Sequence, residues 1–134
     1  SLNDKFVVVV DDEALVREGM QGLLASWGCR VLSVASGDEA QAALAGERTP
    51  DAIICDYRLR GEENGIAVIQ RLQSACAADV PAVLISGDTA PERLREAKAS
   101  GYRLLHKPVQ PAKLRAVLSH LCSLASKPQA SGVG

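Results

Sequence analysis

The feature that most constrains the fold of this chain is a regular alternation of short apolar runs with longer segments of helical period. Five runs have the length and composition of β-strands: Phe6–Val10, Arg30–Ala35, Ala52–Cys55, Ala82–Ile85 and Tyr102–His106. Helical segments separate and follow them, so strand and helix alternate five times within 134 residues. This alternation predicts an α/β fold with a parallel sheet covered by helices on both faces.

The helical period is clearest in the segments that begin near Val16 and Leu114, where apolar residues recur every three or four positions. Three weaker helices are predicted at Asp38–Ala45, Ile66–Cys76 and Glu92–Ser100. Ser36 is expected to cap the first of these three, and Pro91 is expected to open the last.

The hydrophobicity of the strands predicts their order in the sheet. The first, third and fourth strands ("VVVV", "AIIC" and "AVLI") are apolar throughout, as strands buried on both faces should be. The second and fifth ("RVLSVA" and "YRLLH") carry polar residues and suit the edges. The expected order is therefore 2-1-3-4-5, the flavodoxin-like (βα)₅ arrangement, in which sites form at the carboxyl ends of strands one and three.

The composition of the chain indicates how many domains it forms and which classes of partner it does not bind. Residues 1–124 are predicted to form one domain, and 125–134, rich in Ser, Gly and Pro, a disordered tail or linker. A net charge of -1 and an aromatic content of 3% argue against direct binding to nucleic acid.

No apolar run reaches the roughly 20 residues of a membrane span. The four cysteines form no C-x-x-C pair and read as core residues in a reducing compartment, so we expect a cytoplasmic protein.

Charged or hydroxyl-bearing side chains stand directly after four of the five predicted strands. Asp11 and Asp12 follow the first strand, Asp56 the third, Ser86 the fourth and Lys107 the fifth. Because the carboxyl ends of parallel strands meet at one edge of a sheet, we expect these five side chains to share one crevice.

The three carboxylates of such a crevice need a counter-charge. Two carboxylates about 4 Å apart repel by roughly 4 kcal/mol at an effective dielectric constant near 20. A hard divalent cation with oxygen ligands, Mg²⁺, relieves this repulsion. Lys107 adds a second positive charge, and Ser86 adds a hydroxyl donor. Carboxylates, metal, lysine and hydroxyl together predict a site for a phosphoryl group.

Each of these residues also has a purely structural explanation. Asp11 or Asp12 could cap the first helix, and Asp56 could start a turn. Ser86 could cap the loop after the fourth strand, and Lys107 could be a solvated residue at a strand end. Their joint placement at one sheet edge favours a functional site over five independent coincidences.

The same residues resemble the phosphorylation site of a known family. An acidic pair after the first strand, Asp56, Ser86 and the pair Lys107–Pro108 resemble the receiver domain of response regulators, the CheY-like family of two-component signalling. The resemblance spans roughly Lys5 to Leu124. It implies a domain that accepts a phosphoryl group from a histidine kinase or a histidine phosphotransfer domain and then changes conformation.

The resemblance implies a role for each acidic residue. Asp56 would be the phosphoacceptor and would attack the phosphohistidine of a partner. Asp12 would bind Mg²⁺ directly and Asp11 largely through water, while Asp56 and the backbone carbonyl of Arg58 would complete the protein ligands.

The remaining site residues would act on the phosphoryl group. Lys107 would contact its oxygens, and Ser86 would bond to them once Asp56 is modified. The loop Ser86–Pro91 would then reorganise and bias the helix Glu92–Ser100. The family also implies a cis peptide bond between Lys107 and Pro108.

Several positions depart from the family pattern or are expected to modulate the site. Leu104 stands where the family usually has an aromatic residue, and Tyr102 is two residues earlier. Arg60 replaces a proline, in a loop to Gly65 that is one residue longer than the commonest form. Arg58 and Asp88 are expected to form an ion pair across the mouth of the site and to restrict the attacking water.

The segment "LLHKPVQPAKLRAVL" resembles receivers at the carboxyl end of hybrid sensor histidine kinases. A homodimer through the fourth helix, fifth strand and fifth helix is a further expectation, and direct contact with a membrane is not expected. Such a domain would promote its own phosphorylation and dephosphorylation. Three alternatives stay open: a degenerate receiver that acts as an adaptor, an aspartyl-phosphate phosphohydrolase, and a flavodoxin-like cofactor binder.

Overall fold

Strand and helix alternate five times along the chain, as the sequence predicted. A computed structural model describes residues 1–126, apart from the side chains at 62, 125 and 126. The elements in chain order are β1 (Phe6–Val10), α1 (Ala14–Ser26), β2 (Arg30–Val34), α2 (Gly37–Leu44), β3 (Ala52–Asp56), α3 (Gly65–Cys76), β4 (Ala82–Ser86), α4 (Pro91–Ala99), β5 (Arg103–His106) and α5 (Pro111–Ser126).

The strands form one parallel sheet of order β2-β1-β3-β4-β5. All residues of β1, β3 and β4 are buried, whereas β2 and β5 are partly exposed along their length. Both the order and the edge positions confirm the prediction. Central strands lie under helices on both faces, so their side chains are apolar up to the carboxyl ends, where Asp56 and Ser86 stand, while edge strands tolerate polar residues along their length.

Two apolar cores lie on opposite faces of the sheet. Alternate residues of β1 show the division, since Val7 and Val9 join one core and Phe6, Val8 and Val10 join the other. The core of Val7 and Val9 is covered by α1 and α5, through residues such as Leu24 and Leu118. The opposite core is covered by α2, α3 and α4.

Helix and strand ends agree with the local sequence signals. Ser36 caps α2 by accepting a 3.1 Å hydrogen bond from the backbone N–H of Glu39. Pro91 is the first residue of α4. The strand β5 begins at Arg103, one residue later than predicted, because the N–H of Tyr102 donates to the Ser100 hydroxyl and so belongs to the turn after α4.

The last helix of the fold passes residue 124, the predicted end of the domain. The helix α5 continues to Ser126, two residues into the segment 125–134 that was predicted to be a tail. The remainder, 127–134, lies outside the described residues. Within residues 1–126, no helix has the length and apolarity that a membrane crossing requires.

All four cysteines are free thiols. Cys29, Cys55 and Cys122 are buried and Cys76 is partly buried, in agreement with their predicted role as core residues. Burial raises the pKa of Cys122 to about 11, so its thiol stays neutral and unreactive near neutral pH.

Gly65 allows α3 to begin directly behind the end of β3. Its N–H donates to the Tyr57 carbonyl at 2.8 Å, and a Cβ atom here would lie 2.3 Å from the Asp56 carbonyl oxygen. Because that oxygen is backbone, it cannot move aside as a side chain could. We therefore expect Gly65→Ala to lower the free energy of unfolding by about 2–3 kcal/mol, measured by urea denaturation.

Gly22→Ala is the matched control for this prediction. Gly22 lies inside α1, and its Cβ would meet nothing within 4 Å. This substitution should leave the protein unchanged or stabilise it by up to about 1 kcal/mol, the difference in helix propensity. A Gly65→Ala protein as stable as the parent would show that the two backbone segments are less closely packed than the structure indicates.

Candidate functional site

The predicted site residues meet at the carboxyl edge of the sheet. The Lys107 ammonium lies 3.2 Å from an Asp56 carboxylate oxygen and 3.4 Å from an Asp11 oxygen. Asp56, Ser86 and Lys107 line one open pocket at this edge. Asp12 belongs to the same group of carboxylates as Asp11 and Asp56. The strand ends therefore bring all five residues together, as the topology predicted.

A fourth carboxylate joins the group. Asp11, Asp12, Glu13 and Asp56 each offer one oxygen, and these four oxygens lie within 4.8 Å of one another. Asp11 and Asp56 are only 3% and 7% exposed, whereas Glu13 is exposed. The sequence signal for Glu13 was the run of three acids after β1, but only the first two were predicted to belong to the site.

Backbone contacts hold the turn after β1 in place. The N–H of Asp11 donates to the Val34 carbonyl at 3.1 Å. The Asp11 carboxylate accepts the Glu13 N–H at 2.9 Å, and Arg17 donates to the Asp11 carbonyl at 2.6 Å. The side chain of Asp11 is therefore fixed toward the crevice.

Neither aspartate caps α1. The N-cap is Glu13, and its side chain makes no capping hydrogen bond. The alternative explanation of Asp11 or Asp12 as a cap is therefore wrong. Asp11 and Asp12 instead form the turn between β1 and the helix.

Burial and the charge of Lys107 shift the pKa of the phosphoacceptor candidate in opposite directions. Burial and the nearby Asp11 carboxylate raise the pKa of Asp56, although Lys107 and the N–H of Arg58 act in the opposite direction. For Lys107, burial lowers the pKa, but the charges of Asp56 and Asp11 outweigh it, and the pKa is raised. Lys107 therefore remains a charged ammonium group beside the carboxylates.

The raised pKa of Asp56 predicts a dependence of stability on pH. In the unfolded chain Asp56 has an ordinary, lower pKa, so its ionisation opposes folding. The free energy of unfolding therefore decreases as the pH rises from the ordinary pKa of Asp56 in the unfolded chain to its raised pKa in the folded protein. Without divalent cations, we expect Asp56→Asn to be more stable than the parent at neutral pH.

Urea denaturation in the presence of a chelator, repeated across the acidic range, measures this difference. The advantage of Asp56→Asn should shrink at acidic pH, where Asp56 is protonated in both states of the parent. A variant less stable than the parent at neutral pH would mean that the contact with Lys107 stabilises ionised Asp56 more than burial destabilises it.

The donor set of the crevice fits Mg²⁺. Its potential ligands are all carboxylate oxygens, which hard divalent cations prefer over nitrogen and sulfur. Two cationic side chains approach them, Lys107 and also Arg60, whose Nε lies 3.3 Å from an Asp12 oxygen. Arg17 adds a third cation nearby, since it donates to the Asp11 carbonyl at 2.6 Å. Four carboxylates outnumber these three cations, so negative charge remains that a divalent ion would balance.

Ser86 lies at the end of β4 and is 3% exposed. Its hydroxyl accepts the N–H of Asp88 at 2.9 Å, and its carbonyl accepts the N–H of Lys107 at 2.9 Å. These bonds fix the hydroxyl at the pocket wall and join the ends of β4 and β5. The peptide bond between Lys107 and Pro108 is cis, as the family resemblance implied.

Asp88 connects the mouth of the site to α4. The predicted pair with Arg58 is present at 3.6 Å, and Arg93 of α4 approaches the same Asp88 oxygen more closely, at 3.1 Å. The Ala90 N–H lowers the pKa of Asp88, and Arg93 adds to this effect. Sequence reasoning missed Arg93, because the polar pattern of α4 does not indicate which of its charges face the site.

A second connection to α4 begins next to the phosphoacceptor candidate. The hydroxyl of buried Tyr57 donates to the Glu96 carboxylate, which also accepts a 3.2 Å hydrogen bond from Asn64. The hydrogen bond from Tyr57 lowers the pKa of Glu96. The loop after β3 is thereby attached to the middle of α4. Tyr57 and Glu96 are 39 residues apart, and nothing in either segment indicated the contact.

The loop after β3 folds into a compact turn. A short helical turn spans Arg60–Glu62, where Gly61 has a φ of 74°, a conformation that favours glycine. An isolated bridge between Arg58 and Asn64 closes the loop. Within this turn, the Nε of Arg60 lies 3.3 Å from an Asp12 oxygen.

Leu104 and Tyr102 make different contacts. Leu104 packs against the core beneath α4. The Tyr102 hydroxyl donates to Gln73 of α3 at 3.1 Å. The strand β5 contains no Phe, Tyr or Trp, so it supplies no such ring to the site.

Comparison with known sequences identifies relatives along most of the chain. The profile of the response regulator receiver domain matches residues 7–119. The two-component response regulator ORR3 of rice, Oryza sativa, is 34% identical over 119 residues, which cover 87% of each chain. The sensory/regulatory protein RpfC of Xanthomonas campestris pv. campestris is 34% identical over 119 residues, which cover 86% of this chain and 16% of that protein.

Solved structures show the same similarity. A response regulator receiver protein from Sinorhizobium medicae superposes with a TM-score of 0.77 at 26% identity, covering 94% of this chain and 100% of the other. The chemotaxis protein CheY4 of Vibrio cholerae gives a TM-score of 0.75 at 28% identity, covering 88% and 98%. The similarity therefore extends over the whole fold rather than a local motif.

Proposed function

The chain belongs to the response regulator receiver domain family, and we propose that it accepts a phosphoryl group on Asp56 from a phosphohistidine and changes conformation in response. The observation that supports this proposal best is the position of Asp56. Its carboxylate lines the open pocket together with Ser86 and Lys107, and it belongs to the same group of carboxylates as Asp11 and Asp12.

The proposed reaction transfers a phosphoryl group from the nitrogen of a phosphohistidine to a carboxylate oxygen of Asp56. An Asp56 oxygen forms a bond to phosphorus, the bond between phosphorus and the histidine nitrogen breaks, and the imidazole leaves with the electron pair. The product on Asp56 is an acyl phosphate. Lys107, 3.2 Å from Asp56, is placed to neutralise the phosphoryl oxygens throughout.

The acidic group is the proposed location of Mg²⁺. Asp11, Asp12 and Asp56, with the backbone carbonyl of Arg58, would hold the ion, and Glu13 offers a further oxygen. When bound, Mg²⁺ would neutralise charge on the phosphoryl oxygens.

The proposed conformational response starts at Ser86. To bond a phosphoryl oxygen, the Ser86 hydroxyl must turn toward Asp56, which weakens the bond it now accepts from Asp88. Asp88 holds Arg93 at the beginning of α4, so a shift of Asp88 alters the support of that helix. A histidine kinase or a histidine phosphotransfer domain would supply the phosphoryl group, and another partner would detect the altered surface.

The pair of Arg58 and Asp88 is proposed to limit access of water to the acyl phosphate. Since Arg58 is 60% exposed and the contact is 3.6 Å, its contribution is small. We expect Arg58→Ala to accelerate dephosphorylation about three- to fivefold, equivalent to at most about 1 kcal/mol. Loss of the acyl phosphate over time, followed by intact mass, measures this rate.

Arg95→Ala is the control for this experiment. Arg95 is an exposed cation of α4 that makes no ion pair with any described residue. Its removal should leave the dephosphorylation rate unchanged. An Arg58→Ala protein with the rate of the parent would refute the proposed shielding.

The proposed function is tested by intact mass after incubation with a small acyl-phosphate donor, with and without Mg²⁺. One added phosphoryl group that requires Mg²⁺ is the expected result. No adduct, even with a rapid quench, would favour the alternative of a phosphorylation-independent adaptor. The hybrid-kinase context, the cytoplasmic location and the boundary at residue 124 stay predictions.

A further inference from the structure

Two cations divide the four carboxylates of the site between them. Lys107 forms ion pairs with three of them: Asp11 at 3.4 Å, Glu13 at 3.3 Å and Asp56 at 3.2 Å. Arg60 pairs with the fourth, since its Nε lies 3.3 Å from an Asp12 oxygen. Arg17 donates to a backbone carbonyl instead. Within residues 1–126, Arg60 is therefore the cation that neutralises the Asp12 carboxylate.

The two cations differ in how firmly they are held. The Lys107 side chain is 23% exposed and contacts three carboxylates, whereas the Arg60 side chain is 83% exposed and pairs with one. An exposed ion pair contributes little free energy, because water solvates both charges when they separate. Arg60 can therefore leave its carboxylate at small cost, while Lys107 is held beside Asp56.

The loop that carries Arg60 is anchored on both sides of it. The N–H of Leu59 donates to the Glu63 carbonyl at 3.0 Å, and the Leu59 side chain is buried in the core. The Glu63 carboxylate accepts the N–H of Gly37, at the start of α2, at 3.2 Å. The backbone therefore keeps Arg60 next to Asp12, and movement of its side chain alone is enough to release the carboxylate.

Asp12 is also a proposed ligand of Mg²⁺, and a neighbouring arginine opposes a metal ion in two ways. Its hydrogen bonds compete for the lone pairs of the carboxylate, and its positive charge repels the ion. The guanidinium does not lose its proton near neutral pH, so it cannot relieve this repulsion by becoming neutral. The side chain must instead move away.

We propose that Arg60 competes with Mg²⁺ for the Asp12 carboxylate and thereby lowers the affinity of the site for the ion. This inference rests on the proposed Mg²⁺ site and adds a control on its occupancy. Arg60 neutralises Asp12 before the ion binds and turns into solvent when it binds, while Lys107 stays beside Asp56. Phosphorylation of Asp56 then requires a higher concentration of Mg²⁺ than it would without Arg60.

The alternative is that Arg60 supports the site by holding the loop after β3. The backbone carbonyl of Arg58, a proposed ligand of the ion, belongs to that loop, and the pair of Arg60 with Asp12 would keep it in position. Loss of Arg60 would then weaken the binding of Mg²⁺. The two roles therefore predict changes of opposite sign in the affinity for the ion.

Isothermal titration calorimetry with magnesium chloride measures this affinity on the unphosphorylated protein. Arg60→Gln should bind Mg²⁺ about three- to tenfold more tightly than the parent, because it removes a repelling charge from the site. Arg60→Lys keeps the charge and should bind within about twofold of the parent. The gain in Arg60→Gln should shrink when potassium chloride raises the ionic strength, since exposed charges are screened.

Arg95→Gln is the matched control for the change of charge. Arg95 is an exposed arginine of α4 that forms no ion pair with any described residue, so its variant should bind Mg²⁺ within about twofold of the parent. A second readout follows the arginine itself. The NMR signal of the Arg60 Nε–H should shift when Mg²⁺ is added to the parent. The signal of Arg30, which pairs with Glu47 at the start of β2, should not.

Three results would overturn the proposal while the parent still binds Mg²⁺. They are equal or weaker binding by Arg60→Gln, an equal gain in Arg95→Gln, and an Arg60 signal that Mg²⁺ leaves unchanged. None of these results contradicts the proposed function. If neither the parent nor Arg60→Gln binds Mg²⁺, the proposed metal site fails together with this inference. Binding that appears only in Arg60→Gln would support the proposed competition.

Discussion

The Asp56→Asn variant is expected to take up no phosphoryl group under conditions that phosphorylate the parent chain. An amide has nearly the same shape as a carboxylate but lacks the charged oxygen that must attack phosphorus. Asp56 is buried and lies 3.2 Å from the Lys107 ammonium, so its carboxylate is the one placed beside the cation that would neutralise the phosphoryl oxygens. The measurement is intact mass after incubation with Mg²⁺ and a small acyl-phosphate donor.

Glu13→Gln is the control for this experiment. Glu13 belongs to the same acidic group but is exposed, and it was not predicted as a nucleophile. Its variant should still acquire the adduct, with at most a higher requirement for Mg²⁺. An adduct on Asp56→Asn that forms at the rate of the parent would exclude Asp56 as the acceptor.

The Lys107→Ala variant is expected to be phosphorylated about 100- to 1,000-fold more slowly than the parent, a typical effect of removing one transition-state donor. The Lys107 ammonium lies within 3.4 Å of oxygens on Asp11, Glu13 and Asp56. Among the described residues, it is the cation that forms an ion pair with Asp56 itself. The initial rate of adduct formation at saturating Mg²⁺ measures the effect.

Lys98→Ala provides the comparison, because Lys98 is an exposed cation of α4 without an ion pair among the described residues. It should be phosphorylated at the rate of the parent. A Lys107→Ala protein slowed by less than about fivefold would mean that Mg²⁺ alone neutralises the phosphoryl oxygens.

The sheet and most of the site could be predicted because both follow from strong local signals. The continuous apolar runs of β1, β3 and β4 indicate burial on both faces, and burial on both faces places a strand inside a parallel sheet. Parallel strands then bring their carboxyl ends together, which locates Asp56, Ser86 and Lys107 at one edge. No knowledge of individual contacts is required for either step.

The contacts of α4 could not be predicted because they depend on the rotation of that helix about its axis. Its sequence is largely polar, so the apolar pattern that usually defines the inner face is weak. From the sequence alone, Arg93 and Glu96 are therefore expected to be exposed to solvent. In the structure they contact Asp88 and Tyr57, and they link α4 to two loops of the site.

Two residues near the acidic group were missed for a different reason. Arg60 was noted only as the replacement of a proline, but the turn at Gly61 directs its side chain to Asp12. Glu13 was visible as the third acid of a run. Whether it turns toward Asp56 or toward solvent depends on the turn closed by Asp11, which sequence patterns do not specify.

Reduction of the phosphorylated chain with borohydride, followed by peptide sequencing in a mass spectrometer, tests the central claim most directly. Borohydride converts an aspartyl phosphate to homoserine, so the position of homoserine in the peptide sequence identifies the residue that was phosphorylated. The account predicts homoserine at position 56 and nowhere else. Homoserine at position 11 or 12, or a phosphoryl group on His106 or His120, would contradict it.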